Sequence, residues 1–154
     1  MGELFSIVYK PQDATPTGAA YTRIPISQAQ LLAGHGIEGD LKGGSGSRHV
    51  NIMTLETMQE LGGEGFLVEP GLMGEQLILS GIDVNALPAG TQLRIGSEAC
   101  VELTEPRTGC AKFERYQEKP PQEAAGRLGM MARVVTSGAI SLGDSVQVLS
   151  SETK

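Results

Sequence analysis

The chain reads as a mostly β fold, a barrel or sandwich with few helices, and three features point there. Short apolar segments of strand-like alternation recur at intervals of about 8 to 15 residues. Glycine (21) and proline (8) are abundant for 154 residues, so the chain turns often. Helical periodicity is confined to short stretches.

Composition sets the outer limits. The length is that of one ordinary domain, taken as 1–154, and an apolar content of 40% with 19% charged residues is globular. A net charge of −6 argues against a nucleic-acid binder, whose affinity rests on a cationic face. No apolar run approaches the ~20 residues of a membrane span. Met1-Gly2-Glu3-Leu4 lacks the basic start and apolar core of a signal peptide. Cys100 and Cys110, without such a peptide, read as reduced thiols of a cytoplasmic protein.

Element by element, Leu4 to Val8 is the first β-rich run, ended by Lys10-Pro11. Residues 11–23 have loop composition, and 34–40 form a turn-dense approach to the glycine-rich stretch 41–47, expected to be mobile. Arg48 to Met53 reads as a strand with Val50 and Ile52 on one face. Thr54 is placed to cap a helix from Leu55 to Leu61, stopped by Gly62-Gly63. Met53 and Met58 occupy the two positions of a hydrophobic staple, and Leu55, Met58 and Leu61 share a core-facing side.

Leu77 to Leu79 is an apolar strand before a turn at Ser80-Gly81. Thr91 to Ile95 and Ala99 to Thr104 form a hairpin about Gly96-Ser97-Glu98, with Ala99, Val101 and Leu103 on one face. Cys100, on the other face, reads as a structural mid-strand cysteine. Ala111 to Gln117 and Gln122 to Leu128 are short helices, the second started by Pro120-Pro121. Met131 to Val135 and Ser145 to Leu149 are the closing strands, joined by a linker from Ser137 to Asp144.

The segment with most chemistry is Glu105-Pro106-Arg107-Thr108-Gly109-Cys110-Ala111-Lys112. It places Cys110 in a Pro/Gly turn at a strand exit, between Arg107 and Lys112 and ahead of a short helix. Nearby cations and a helix N-terminus favour thiolate, the form that attacks, carries sulfur or binds a soft metal. The alternative is a small apolar residue filling space under a loop, and the residues leave both readings open. Arg107, inside the turn, could also grip an oxyanion.

Other chemistries lack their spacing. Cys100, Cys110, His35 and His49 do not form a zinc pattern, and no resolving cysteine stands two residues from Cys110. The 43–46 glycines are not a P-loop, although backbone N–H groups there beside Arg48 could hold an anion. Nothing local pairs His49 with Cys110 as a base. Asp40 is either a pocket residue or a turn-forming aspartate.

Three segments resemble the MOSC family, the domain found at the C-terminus of molybdenum cofactor sulfurases and as small stand-alone proteins. Gly36-Ile37-Glu38-Gly39-Asp40 with Arg48-His49-Val50 is similar to its G-[LI]-E-G-D segment and following basic strand. Pro70-Gly71-Leu72-Met73-Gly74-Glu75-Gln76-Leu77 resembles P-G-x-x-G-E-N-L, and Leu87 to Ile95 continues it. Glu105 to Cys110 resembles the P-R-x-P-C segment that carries the family's cysteine. Arg127 to Val134 and Gly143-Asp144-Ser145-Val146 fit its closing pieces, so the likeness runs from Gly34 to Val148. Gln76 stands where asparagine is usual, Gly109 replaces a proline, and the charged piece after the G-D is replaced by 41–46.

The resemblance implies a mostly β, MOSC-like β-barrel with a few short helices and the cysteine at a pocket mouth. It implies molybdenum cofactor (molybdopterin) binding with Cys110 as metal ligand, and reduction of N-hydroxylated compounds with electrons from an external donor. Candidate cofactor-binding residues are Arg107, Lys112, Arg48, Arg133, Gly74, Glu75, Asp40 and His49. Alternatively Cys110 is a sulfur carrier, taking persulfide from a cysteine desulfurase, or the chain is a non-catalytic binding module. The chain has no room for the sulfurases' pyridoxal-phosphate domain.

Overall fold

The computed structural model of the chain describes residues 2–9, 24–40, 50–69, 73, 75–107, 117, 124 and 126–149. Its strands are β1 (Gly2–Tyr9), β2 (Ile24–Ile26), β3 (Gln28–Leu32), β4 (Gly36–Ile37), β5 (Val50–Thr54) and β6 (Leu77–Ser80). They continue as β7 (Gln92–Ile95), β8 (Ala99–Pro106), β9 (Met130–Thr136), β10 (Gly138–Ser141) and β11 (Ser145–Val148). Helix α1 (Leu55–Gly63) and a 3-10 turn at Val84–Ala86 complete the set.

Seven strands close a barrel in the order β11-β7-β8-β9-β5-β6-β1, sealed where Gly2 and Glu3 pair with Val146 and Ser145. Strand β2 adds to β1 outside the ring, and β10-β3-β4 form a second small sheet. Closure removes the unpaired edges that an open sheet of this length would expose. Alternate residues fill the interior, among them Leu4, Val50, Ile52, Leu93, Val101 and Ala132, each nearly or fully buried.

The outward residues of β5 and β6 are covered as well. Met53 and Ile78 join Met58 and Leu61 of α1, with Phe66, Met73, Ala124 and Leu128, in a second apolar cluster. The β5–β6 pair is parallel, because the chain crosses over through α1 between them. Every residue of β5 is consequently buried. Among the described residues, no helix is long and apolar enough to cross a membrane.

The expected β-barrel is present, with several corrections to its parts. Helix α1 runs through Gly62 and Gly63, and Glu64 ends it just before Gly65, which adopts φ +102°. Thr54 stands at the N-cap without a side-chain cap bond. Its hydroxyl instead donates to the Ile82 carbonyl at 2.6 Å and accepts from Val84 N at 3.0 Å, tying β5 to the 3-10 turn. The expected linker from Ser137 to Asp144 contains β10, which pairs with the equally unexpected β3. Residues 126–128 turn rather than continue a helix, since Gly126 has φ +79°. The 11–23 and 41–47 loops and all of the expected 111–117 helix except Gln117 lie outside the described residues.

Gly129 shows how closely the shell packs. At φ +88°, a Cβ there would strike the Ile52 carbonyl oxygen and approach Met53 Cγ at 2.7 Å. Only glycine allows β9 to begin this close to β5.

Candidate functional site

Asp40 is placed by local backbone chemistry. Gly36 (φ +122°) and Gly39 (φ +85°) take conformations that L side chains rarely adopt, and Asp40 N donates to the Ile37 carbonyl at 3.0 Å. This turn returns the chain to the barrel wall with Asp40 fully buried. Asp40 is therefore part of a turn and also aims its carboxylate at the wall, where Oδ2 accepts from Gln76 Nε2 at 3.3 Å.

Gln76 is the joint of the site. Its Oε1 accepts from Asn51 N at 2.7 Å, and its own backbone N donates to the Asn51 carbonyl at 2.9 Å. The Asn51 bond to Oε1 and the Nε2 bond to Asp40 together use both ends of the Gln76 side-chain amide and fix its orientation. Glu75 lies beside it in the chain and is fully buried. Asn51 alternates with Val50 and Ile52 of the barrel interior, so it points outward, and Met131 of β9 stands opposite it. Glu105 of β8 is in turn the register partner of Met131. A row thus crosses the outer wall from Asp40 through Gln76, Asn51 and Met131 towards the end of β8.

Arg107 follows β8 directly. Its backbone N donates to the Gly129 carbonyl at 3.0 Å, and Asn85 clamps Gly129 through its amide at 2.9 and 3.0 Å. The Arg107 guanidinium donates through one NH to the Met73 carbonyl. The end of β8 is thereby linked to the segment that leads into Glu75 and Gln76.

Asn51 is 2% exposed, and its side-chain Nδ2 and Oδ1 form no hydrogen bond among the described residues. A buried amide in that condition loses the hydration it had in the unfolded chain without replacement.

Of the expected site residues, Asp40 and Glu75 are buried at the wall, and Arg107 is tied to the same segment through Met73. Arg133 lies on the outer face of β9, with its guanidinium paired to Glu102 Oε1 at 2.5 and 2.6 Å. Cys110, Lys112, Arg48, His49 and Gly74 lie outside the described residues. Asn51 was not foreseen, although it is the one polar residue within Val50 to Met53. Cys100 behaves as a structural cysteine, since burial pushes its thiol upward with Arg94 opposing and Glu102 reinforcing the shift. Among the described residues, no group of three or more His, Cys, Asp or Glu is arranged to hold a metal ion.

Comparison with known proteins agrees with this architecture. The YuaD protein from Bacillus subtilis superposes with a TM-score of 0.75 at 20% identity, covering 96% of each chain. YiiM from Geobacillus stearothermophilus gives 0.75 at 20% identity, over 97% of this chain and 76% of its own. YiiM from Escherichia coli gives 0.70 at 22%, over 96% and 70%. At these identities the likeness is one of fold. No curated protein matches the chain in sequence. The MOSC domain family matches residues 43–147. Spanning most of the barrel strands and the segment that carries Arg107 and Cys110, that match shows that the chain belongs to the MOSC domain family.

Proposed function

We propose that the chain binds a molybdenum cofactor on the outer wall of the barrel, with Cys110 as the metal ligand, and that it supports reduction of N-hydroxylated compounds. The observation that supports this most is the convergence of the family's separate segments. Asp40 of G-I-E-G-D meets Gln76 of G-E-Q-L, Gln76 holds Asn51 after R-H-V, and Arg107 of P-R reaches Met73. These contacts satisfy buried backbone groups and also draw the family's separated segments onto neighbouring parts of the wall.

The residues suit the group. The unbonded Asn51 amide fits a ligand edge that carries both donors and acceptors, as a pterin's does. A thiolate at Cys110, flanked in sequence by Arg107 and Lys112, suits a soft metal. When bound, the cofactor would supply two-electron oxygen-atom transfer. In this reading Gln76 holds the Asn51 strand in position and Asp40 fixes Gln76. The Arg107–Met73 bond ties the end of β8, from which the chain leads to Cys110, to the segment before Glu75. Lys112, Arg48 and His49 are the cationic and imidazole candidates for the cofactor's phosphate. A separate donor brings the electrons, since the chain carries no flavin, iron–sulfur or nicotinamide motif.

The test is molybdenum and pterin content of protein purified from a cofactor-competent host, wild type against Cys110→Ala. Near-stoichiometric metal in wild type and little in the variant is the expected result. Absence of metal from both sinks this reading. One added sulfur atom on Cys110, removed by a reductant, would then identify a persulfide carrier served by a cysteine desulfurase. An inert Cys110 would leave a binding module.

A further inference from the structure

Asn51 stands out among the buried polar residues of the wall. Its backbone is fully engaged, with N donating to Gln76 Oε1 and the carbonyl accepting from Gln76 N. Gln76 is bonded to Asn51 N and to Asp40 Oδ2, and makes no bond to the Asn51 side chain. The neighbour on the other side is Met131, which offers only a weak thioether acceptor. Among the described residues, the donors and the acceptor of the Asn51 amide thus have no partner.

We propose that Asn51 is the residue that reads the heterocycle edge of the ligand, pairing through Nδ2 and Oδ1 with an adjacent acceptor and donor on a pterin-type ring. The inference rests on the cofactor reading above and assigns a specific recognition role within it. An amide pairs in bidentate fashion with such an edge and rejects rings that lack it, as asparagine does with a purine. Gln76 is the positioning residue, holding the Asn51 backbone so that the amide stays at a fixed height on the wall. Met131, opposite Asn51 and 9% exposed, is unbranched and flexible, and its movement uncovers the amide to the ligand. The cost of the unbonded amide falls on the empty protein and is relieved on binding.

The experiment uses Asn51→Leu, which has a similar volume without polar atoms, and Asn51→Ala, which cannot overpack if the leucine variant fails to fold. Full-length proteins from a cofactor-competent host are assayed for released, oxidised pterin by fluorescence. Cofactor-free preparations from a host that makes none are melted in parallel. The expected result is pterin content reduced at least about fivefold. Cofactor-free Asn51→Leu should melt above wild type by about 2–4 °C. A variant that keeps wild-type pterin content overturns this inference and leaves the cofactor reading standing. Leucine and alanine variants that both melt below cofactor-free wild type overturn it as well, because Asn51 is then bonded in the empty protein. A wild type without pterin overturns both.

Discussion

The two faces of β5 follow different rules within a few residues. Inward, Val50 and Ile52 sit at 0% exposure in an apolar barrel core where shape is the only requirement. Outward, Asn51 at 2% exposure is as dry, yet among the described residues its amide has no bond, with Gln76 and Met131 beside it. Equal burial therefore hides opposite energetics: Val50 and Ile52 hold the barrel together, whereas the Asn51 amide carries an energetic penalty in the empty protein, although Met53 on the same outward side packs into the apolar cluster under α1. A face that is buried, polar and incompletely bonded is where a ligand has something to gain.

That contrast can be broken by substitution. Ile52→Ala should cost about 2–5 kcal/mol in urea unfolding, because the closed barrel cannot collapse around the cavity. An Ile52→Ala cost below that of outward-face variants would show that the interior is not the stabilising side. Gln76→Leu should cost about 1–3 kcal/mol, since Asn51 N loses its acceptor. It should also lower pterin content; unchanged stability would mean that Gln76 does not organise the row.

Cys100 sharpens the comparison through pH. Its folded thiol is raised by burial, so the protonated form is favoured by folding. Its contribution is complete below the unfolded thiol value of about 8.5 and is lost as pH rises through the folded value. Wild type should therefore lose stability above about pH 8.5 by more than Cys100→Ala does, and Cys100 should resist alkylation at neutral pH. Rapid alkylation of Cys100 in the folded protein would contradict its structural role. The smallest effect belongs to Arg133→Ala, about 0.2–1 kcal/mol, because its pair with Glu102 is solvent-screened. A pterin loss on that substitution, without a stability change, would move Arg133 from wall surface to ligand site.

Much of this was legible in order along the chain. The alternation of Ala99, Val101 and Leu103, and of Leu93 and Ile95, announced the β7–β8 hairpin because side-chain period is a local property. The Leu55, Met58 and Leu61 face likewise announced α1. Strand β3, Gln28-Ala29-Gln30-Leu31-Leu32, was not announced, since its polar members weaken the pattern and its partner β10 is more than a hundred residues away. Thr54 misled for a related reason: it looks like a cap, but the Ile82 carbonyl and Val84 N compete for its hydroxyl.

The same division runs through the site. The sequence by itself determined which residue types were available: the G-I-E-G-D turn whose glycines take positive φ, the buried G-E-Q-L carboxylate and amide, and the Pro-Arg pair ahead of Cys110, although the structure carries Pro106 in β8 and not in the expected turn. Those depend on backbone sterics and on neighbours in the chain. Only the tertiary structure decided that Asp40, Gln76 and Asn51 meet, that Arg107 reaches Met73 while Arg133 is drawn to Glu102, and that the Asn51 side-chain amide has no partner among the described residues. Hydrogen-bond satisfaction is a property of three-dimensional neighbours, and barrel closure chooses those neighbours across long sequence separations.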